Sequence, residues 1–340
     1  MLPRVNEKNL PVLATLGVCA SLYVLGCVAY YQSNFASLIV LEQLFSGSSV
    51  LGIAAVGLTF VILSGGIDLS VASVVALSTM VVAALVARVH VNPWVAILAA
   101  LAAGALLGFG TGCLIHFFEL PPFLVTLATL FLARGICLVI NRAYPIPLEP
   151  QKYPFFDRFT SLAVRLPWIT LHPRGMLFIG IVLVGVVVAH WTRFGRNVYA
   201  LGGNEQAARL MGLPVGRTKV LVYTISGFCA ALAGIALLSD VPSGDPTTKV
   251  GMELDAIAAV VIGGTLLSGG VGYVFGTLLG VLILAMIEQL IVMDGRLDSS
   301  WARIVNGLLL FAFIALQKLL TRLRIGGNRS ATGFPVVQPS

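Results

Sequence analysis

Charge is what this chain most lacks. Of its 340 residues only 10% are Asp, Glu, Lys or Arg, against about 25% in an average soluble domain. Too few ions remain to solvate a water-facing surface. That excludes a soluble globular enzyme, a disordered chain and a secreted disulfide scaffold. Cysteine is sparse too: Cys19, Cys27, Cys113, Cys137 and Cys229 lie singly inside apolar stretches, and no CxxC pair occurs. They read as small packing residues, so no disulfide framework, metal site or cofactor is expected. No GxxxxGK[ST] loop is present, so the chain holds no such cradle for ATP phosphates. No GxSxG elbow accompanies its serines, and His90, His116, His172 and His190 all fall near the ends of apolar runs. An intramembrane hydrolase built on Ser64 and a histidine therefore has little support.

What is abundant is apolar. Hydrophobic residues make up 58% of the chain and mean hydropathy is +0.98, the signature of an integral membrane protein. The net charge of +7 does not point to nucleic acid, because the cations sit in the N-terminal tail, in loops and in the run Lys318, Arg322, Arg324, Arg329. Such flanking cations meet anionic lipid. A helix crosses hydrocarbon in about 20 residues. On that measure the sequence predicts an all-α polytopic protein with about ten spans, some broken at Gly-Gly. They lie near residues 10–31, 48–64, 69–87, 93–117, 123–140, 176–191, 219–239, 254–267, 272–293 and 301–320. The first is too long for a signal-peptide core and lacks a small-residue cleavage site, so it counts as structure.

An even number of spans places both termini on one side. The basic tails, residues 1–9 and 321–340, assign that side to the cytoplasm, together with the loop 192–218. The opposing loop, 141–175, is also basic, so the two tails carry the orientation. Glycines repeat every fourth residue at Gly104, Gly108 and Gly112, and again at Gly272, Gly276 and Gly280. Small residues at that spacing form a smooth helical stripe and let two backbones approach closely.

Two spans are interrupted by the same residues. AAVGLTFVILSGG (54–66) and AAVVIGGTLLSGG (258–270) align without gaps and cross in the same direction. Gly-Gly unwinds a helix, and the freed backbone groups persist at membrane depth only against protein or a water-filled cavity. Ser64, Gly65 and Gly66, with Ser268, Gly269 and Gly270, are therefore candidate pathway or hinge residues. Asp68 follows the first break: it either lines the pathway or caps a helix starting at Leu69. Asp255 sits at the start of a span beside Glu253 and is a second candidate. Glu288 falls inside the ninth span, where snorkelling or a bundle contact accounts for it.

The loop YALGGNEQAARLMGLPVGRTK (199–219) carries a capped helix. Asn204 is a good N-cap, Glu205 suits the positive helix start, Gly212 suits the C′ position and Pro214 enforces the stop. The spacing predicts a helix over residues 205–211, held outside the membrane or lying at the lipid interface. Two turns are marginal alone in water, so something holds them.

ILSGGIDLSV (62–71), ALGGNEQAARLMGL (200–213) and ELDAIAAVVIGGTLLSGGVG (253–272), in that order, resemble the permease subunits of bacterial sugar ABC importers. These belong to the ribose and branched-chain amino acid permease superfamily, and the likeness is greatest to galactofuranose-type permeases. It runs over residues 10–320 and fades in the 141–175 loop and the C-terminal tail. Ala72 stands where relatives often carry glycine. The resemblance implies a multi-pass protein of the bacterial inner membrane and a pathway formed by two copies or by two related permeases. It also implies a separate ABC ATPase subunit and a periplasmic sugar-binding protein, with the 141–175 loop on the periplasmic side. It places the ATPase-coupling helix on Asn204, Glu205, Ala208, Arg209 and Gly212. A galactofuranose- or ribose-like monosaccharide is then the solute. The alternative is a proton-coupled transporter using Asp68 and Glu288 as a relay.

Overall fold

The computed structural model describes residues 10–31, 35–142, 144–149, 151–166, 169–295, 301, 304–313 and 315. Both tails, and part of the tenth expected span, lie outside the described residues. The helices run α1 (Leu10–Ala29), α2 (Leu38–Gly47), α3 (Ser49–Leu63), α4 (Val71–Ala87), α5 (Pro93–Phe117), α6 (Pro122–Ile140) and α7 (Pro154–Ser161). They continue as α8 (Pro173–Trp191), α9 (Arg193–Gly203), α10 (Glu205–Leu210), α11 (Val215–Leu238), α12 (Met252–Ile262) and α13 (Val274–Asp294). A last apolar helix, α14, spans Ile304–Phe313. Local chemistry sets several of these starts. Asn92 caps α5 by accepting from the Trp94 N–H at 2.9 Å, and proline opens α5, α6 and α8, where its missing N–H costs nothing.

Each described part of an expected span contains a helix, but not always a full-length one. By length and apolarity six helices qualify as membrane spans among the described residues, or seven if α2 and α3 count as one. Those two meet at a bend of 54°. The expected span at 48–64 is thus the inner part of a longer broken element. Its outer part, α2, was masked in the sequence by Glu42 and Gln43. Glu42 is nonetheless buried, because the His172 backbone N–H and ring Nδ1 reach it at 3.2 and 2.8 Å. Ser48 at the bend donates to the Leu44 carbonyl. The helices α4 and α12 are short, at 17 and 11 residues.

The most enclosed elements are α3, with 14 of its 15 residues buried, and α4, with 13 of 17; α11 packs on both of them and on α5. Large apolar side chains of the outer helices, such as Leu106, Phe131 and Val139, are exposed, as lipid contact requires. The two glycine stripes do what their spacing implies. Gly104, Gly108 and Gly112 bring α5 against α11, where a Cβ on Gly112 would come within 2.8 Å of the Val220 Cα. Gly276 and Gly280 bring α13 against the backbone of Gly263 and Ala259 at the end of α12. Lipid supplies no hydrophobic force between helices, so this backbone proximity is what binds them.

The direction of each helix follows from its cross-contacts. Thr15 of α1 donates to the Ile262 carbonyl at 2.8 Å, and Tyr30 donates to Leu290 at 3.3 Å. Hence α1 runs parallel to α13, and it starts at the end of the bundle that carries α9 and α10. The opposite end carries the 141–175 segment. There β1 (Ile146–Pro147) pairs antiparallel with β4 (Ser243–Gly244), and β2 (Val164–Leu166) with β3 (Ile169–Leu171). Arg134 of α6 ties down the neighbouring loop through the carbonyls of Pro246 and Thr248.

Candidate functional site

Helix α3 stops where its sequence turns to Ser-Gly-Gly. Ser64 donates back to the Val61 carbonyl at 2.7 Å, and Gly65 adopts φ +82°, a value that costs a side-chain-bearing residue dearly. Beyond α12 the chain leaves helical geometry in the same way, with φ of +83° at Gly269 and +75° at Gly270. The two breaks meet. The Gly270 N–H donates to the Leu63 carbonyl at 2.9 Å, and a Cβ on Gly65 would lie 3.5 Å from the Ser268 carbonyl. Both motifs found in the sequence are thus joined backbone to backbone, although 204 positions separate Gly66 from Gly270.

A third glycine pair closes this junction, and sequence reasoning missed it. Gly202 and Gly203 end α9, and a Cβ on Gly202 would fall on the Leu63 carbonyl and within 2.5 Å of the Gly270 nitrogen. A Cβ on Gly270 would lie 2.7 Å from Gly203. Helix α9 occupies part of the stretch 192–218 that the sequence predicts as a loop. Its apolar Phe194, Val198 and Leu201 recur at helical spacing and were the available signal.

The next residue begins α10. Asn204 accepts from the Ala207 N–H at 2.9 Å, and the helix ends at Leu210 with Gly212 in the left-handed conformation, φ +73°. The expected bounds are thus met to within one residue. Ala208 is fully buried against Leu201, Leu213 and Val215, which answers what holds so short a helix. Glu205 receives Arg209 at 2.7 Å and Lys219, from α11, at 2.8 Å. Leu210 and Met211, by contrast, are 90% and 67% exposed.

Partial burial pushes the Glu205 carboxyl up, but the hydrogen bonds and charges of Lys219 and Arg209 outweigh it and leave it below the usual carboxylate range. The sign follows from linkage. A depressed pKa contributes stability that is present above the unfolded value and lost as pH falls through the folded one. The stabilising difference between the natural chain and Glu205→Gln is therefore expected to stay flat from about pH 6 to 8. It shrinks only below the ordinary glutamate pKa of about 4.3. Thermal midpoints of the two proteins across that range check it.

Asp68 is 3% exposed and lines neither cavity described below. Its Oδ1 accepts from the Ser70 N–H at 2.9 Å and the Ser70 hydroxyl at 2.6 Å, and its Oδ2 from Ser226 of α11 at 2.7 Å. The helix it was expected to cap starts at Val71, with Ser70 as its N-cap. Asp68 instead folds an Asx turn ahead of the helix. It pins that turn to α11.

Two cavities flank this framework. One, of about 430 Å³, joins Ser64, Gly65 and Gly66 to Glu205, Arg209 and Lys219, beneath α10. The other, of about 690 Å³, lies toward the opposite end, at the α2–α3 bend, and both Asp255 and Glu288 line it. Glu288 is therefore not an isolated snorkelling group. It shares a chamber with Asp255, and Asp68 sits elsewhere, held by hydroxyls, so the relay pairing Asp68 with Glu288 is not assembled. No cluster of metal-ligating side chains occurs among the described residues.

Comparison with known proteins matches residues 40–314 to the family described as branched-chain amino acid transport system / permease component. The chain is 43% identical to the inner membrane ABC transporter permease protein YjfF of Escherichia coli (strain K12), over 93% of this chain and 94% of that protein. It is 34% identical to the fructose import permease protein FruG of Bifidobacterium longum (strain NCC 2705), over 96% and 95%. With the ribose import permease protein RbsC of Escherichia coli (strain K12) it shares 41% identity, over 79% and 83%. No solved structure matches it.

Proposed function

Since this chain belongs to the branched-chain amino acid transport permease family and is similar to an inner membrane ABC transporter permease and to fructose and ribose import permeases, we propose that it translocates a monosaccharide under the drive of a separate ATPase. It is a multi-pass inner membrane protein and a transport component, not an enzyme. The proposed solute is galactofuranose- or ribose-like. In this reading the chain crosses ten times with both termini in the cytoplasm, in lipid, and pairs with a second copy or a related permease. A periplasmic binding protein delivers the sugar to the end that carries the β-strands. Helix α10 is the coupling element: Glu205 and Arg209 on its face meet the ATPase, while Asn204, Ala208 and Gly212 fix its ends and its seat.

One observation carries the mechanism. The two residues before the Asn204 cap are wedged between the two broken spans, so a displacement of α10 is passed directly to Leu63 and Gly270. Ser64–Gly66 and Ser268–Gly270 then act as hinges, because positive-φ glycines absorb backbone rotation that other residues resist. A monosaccharide is neutral and hydroxyl-rich, so its path needs polar contacts and few fixed charges.

The test is uptake into vesicles holding this chain, its ATPase, the partner permease if one is required, and the binding protein. Uptake is expected to need ATP and to persist with a protonophore present. Replacing Glu205 and Arg209 together with alanine is expected to lower it about tenfold or more, as loss of charged contacts at a docking surface does, with unchanged insertion. Undiminished uptake in that variant counts against the coupling role.

A further inference from the structure

We propose that the cavity beneath α10 is a binding site for a neutral monosaccharide arriving from the cytoplasm, and that its occupancy slows further uptake. This rests on the importer reading above and adds a control of uptake by the solute already delivered. The cavity holds about 430 Å³, ordinary for a small-molecule site. Two of the groups that line it are buried and unmet. Tyr223 of α11 is 2% exposed, and its hydroxyl stands so close over Gly66 that a Cβ there would collide with it. The Ile67 backbone lies alongside, yet among the described residues no partner reaches that hydroxyl in hydrogen-bonding geometry. The His116 ring, at the end of α5, is seated on Gly216. Its buried Nδ1 also has no hydrogen-bond partner among the described residues. Buried polar atoms left that way are costly, and a ligand that reaches both relieves them.

The rest of the lining selects the ligand. Arg209 and Lys219 are already engaged by Glu205, at 2.7 and 2.8 Å, so an anionic ligand has to compete with a carboxylate in place. The Tyr223 proton needs an acceptor, the Glu119 carboxylate accepts donors, and Nδ1 takes either. A sugar hydroxyl both donates and accepts, so a polyol answers all three. Ile115, Leu120, Pro121 and Pro122 supply an apolar wall for the C–H face of a sugar ring. Glu119 and Arg209 are exposed, which puts the opening at the end that carries α9 and α10. In the importer reading, sugar is released on that side. One wall of the cavity belongs to α10, and the facing walls belong to the first break, α11 and the α5–α6 turn. A displacement of α10 alters the span between them. A ligand gripping both sides therefore binds the resting arrangement best and holds it there.

The experiment uses the assembled transporter in vesicles, with ATP and the cytoplasmic faces of the active copies enclosed. Unlabelled D-ribose or D-fructose, whichever is transported, is enclosed at saturating concentration, and glycine betaine, which has no hydroxyl, is the osmotic control. Initial uptake of the labelled sugar is expected to fall about fivefold. Each variant is scored by its own ratio of loaded to control rate, so a change in its unloaded rate does not enter. Tyr223→Phe removes only the hydroxyl and His116→Leu the ring nitrogens. Each is expected to raise the inhibiting sugar concentration about tenfold. His116→Asn returns a polar atom near the Nδ1 position and is expected to restore most of the inhibition, which a merely structural role of the ring does not predict. Uptake that ignores the enclosed sugar, or inhibition at the same concentration in Tyr223→Phe and His116→Leu, overturns the site and leaves the importer reading standing. Inhibition by the corresponding sugar phosphate but not by the free sugar overturns the ligand class. Absence of ATP-driven uptake in the control vesicles is the separate failure, and it removes both.

Discussion

Gly202→Val is expected to abolish uptake and to destabilise the purified protein by about 3 kcal/mol or more. The reason is what surrounds the missing Cβ: the Leu63 carbonyl, the Gly270 nitrogen and the Leu63 carbonyl carbon. All are backbone atoms, none is the far end of a flexible side chain, and two are joined by the Gly270–Leu63 hydrogen bond. A new side chain must therefore push α9 off the junction or break that bond. Either outcome separates α10 from both hinges. Neighbouring Gly203 makes the control, since a Cβ there meets nothing within 4 Å. Gly203→Ala is expected to retain most of the uptake and nearly the natural thermal midpoint. Equal behaviour of the two variants would falsify the wedge.

The second large effect is expected at Asp68. Removing its carboxylate with alanine strands the Ser226 hydroxyl, the Ser70 hydroxyl and the Ser70 N–H in a site that is 3% exposed. Leaving buried donors unpaired costs about 1–3 kcal/mol each, so Asp68→Ala is expected to lose about 3 kcal/mol. Asp68→Asn keeps an acceptor oxygen, and the Ser226 hydroxyl can turn to receive the amide, so its loss is expected to be roughly half as large. Ser226→Ala leaves Asp68 Oδ2 without its donor but keeps both Ser70 bonds to Oδ1, so it is expected to cost about 1–3 kcal/mol. Midpoints in one detergent rank the three. A proton-relay role predicts instead that Asp68→Asn is as damaging to uptake as alanine while leaving the midpoint unchanged.

Much of this was legible because the determinants are local. Apolar runs placed most of the helices, four-residue glycine spacing marked the close-packing faces of α5 and α13, and Asn204, Gly212 and Pro214 set α10 to within a residue. The paired LSGG segments were visible as a repeat. What the sequence did not yield depends on partners distant along the chain. Glu42 reads as an interruption until His172 arrives from 130 positions away, and so α2 and its bend were overlooked. Asp68 reads as either a pathway group or a cap for its own helix until Ser226 arrives from 158 positions away. Gly202 and Gly203 carry no local signal, because nothing nearby in sequence reveals that two other backbones cross there. The chamber escaped for the same reason: its lining is spread from Gln43 to Asn306.

The outward face of α10 has a consequence for how cells must make this protein. Leu210 and Met211 are exposed, with nothing among the described residues to shelter them. In the proposed assembly the motor subunit covers that knob, so a copy made in surplus leaves it bare, inviting clumping with other surplus copies and attack by quality-control proteases. Production of the two subunits must therefore be matched in number. Expressed without its motor, this chain is expected to be short-lived even when every helix has inserted correctly.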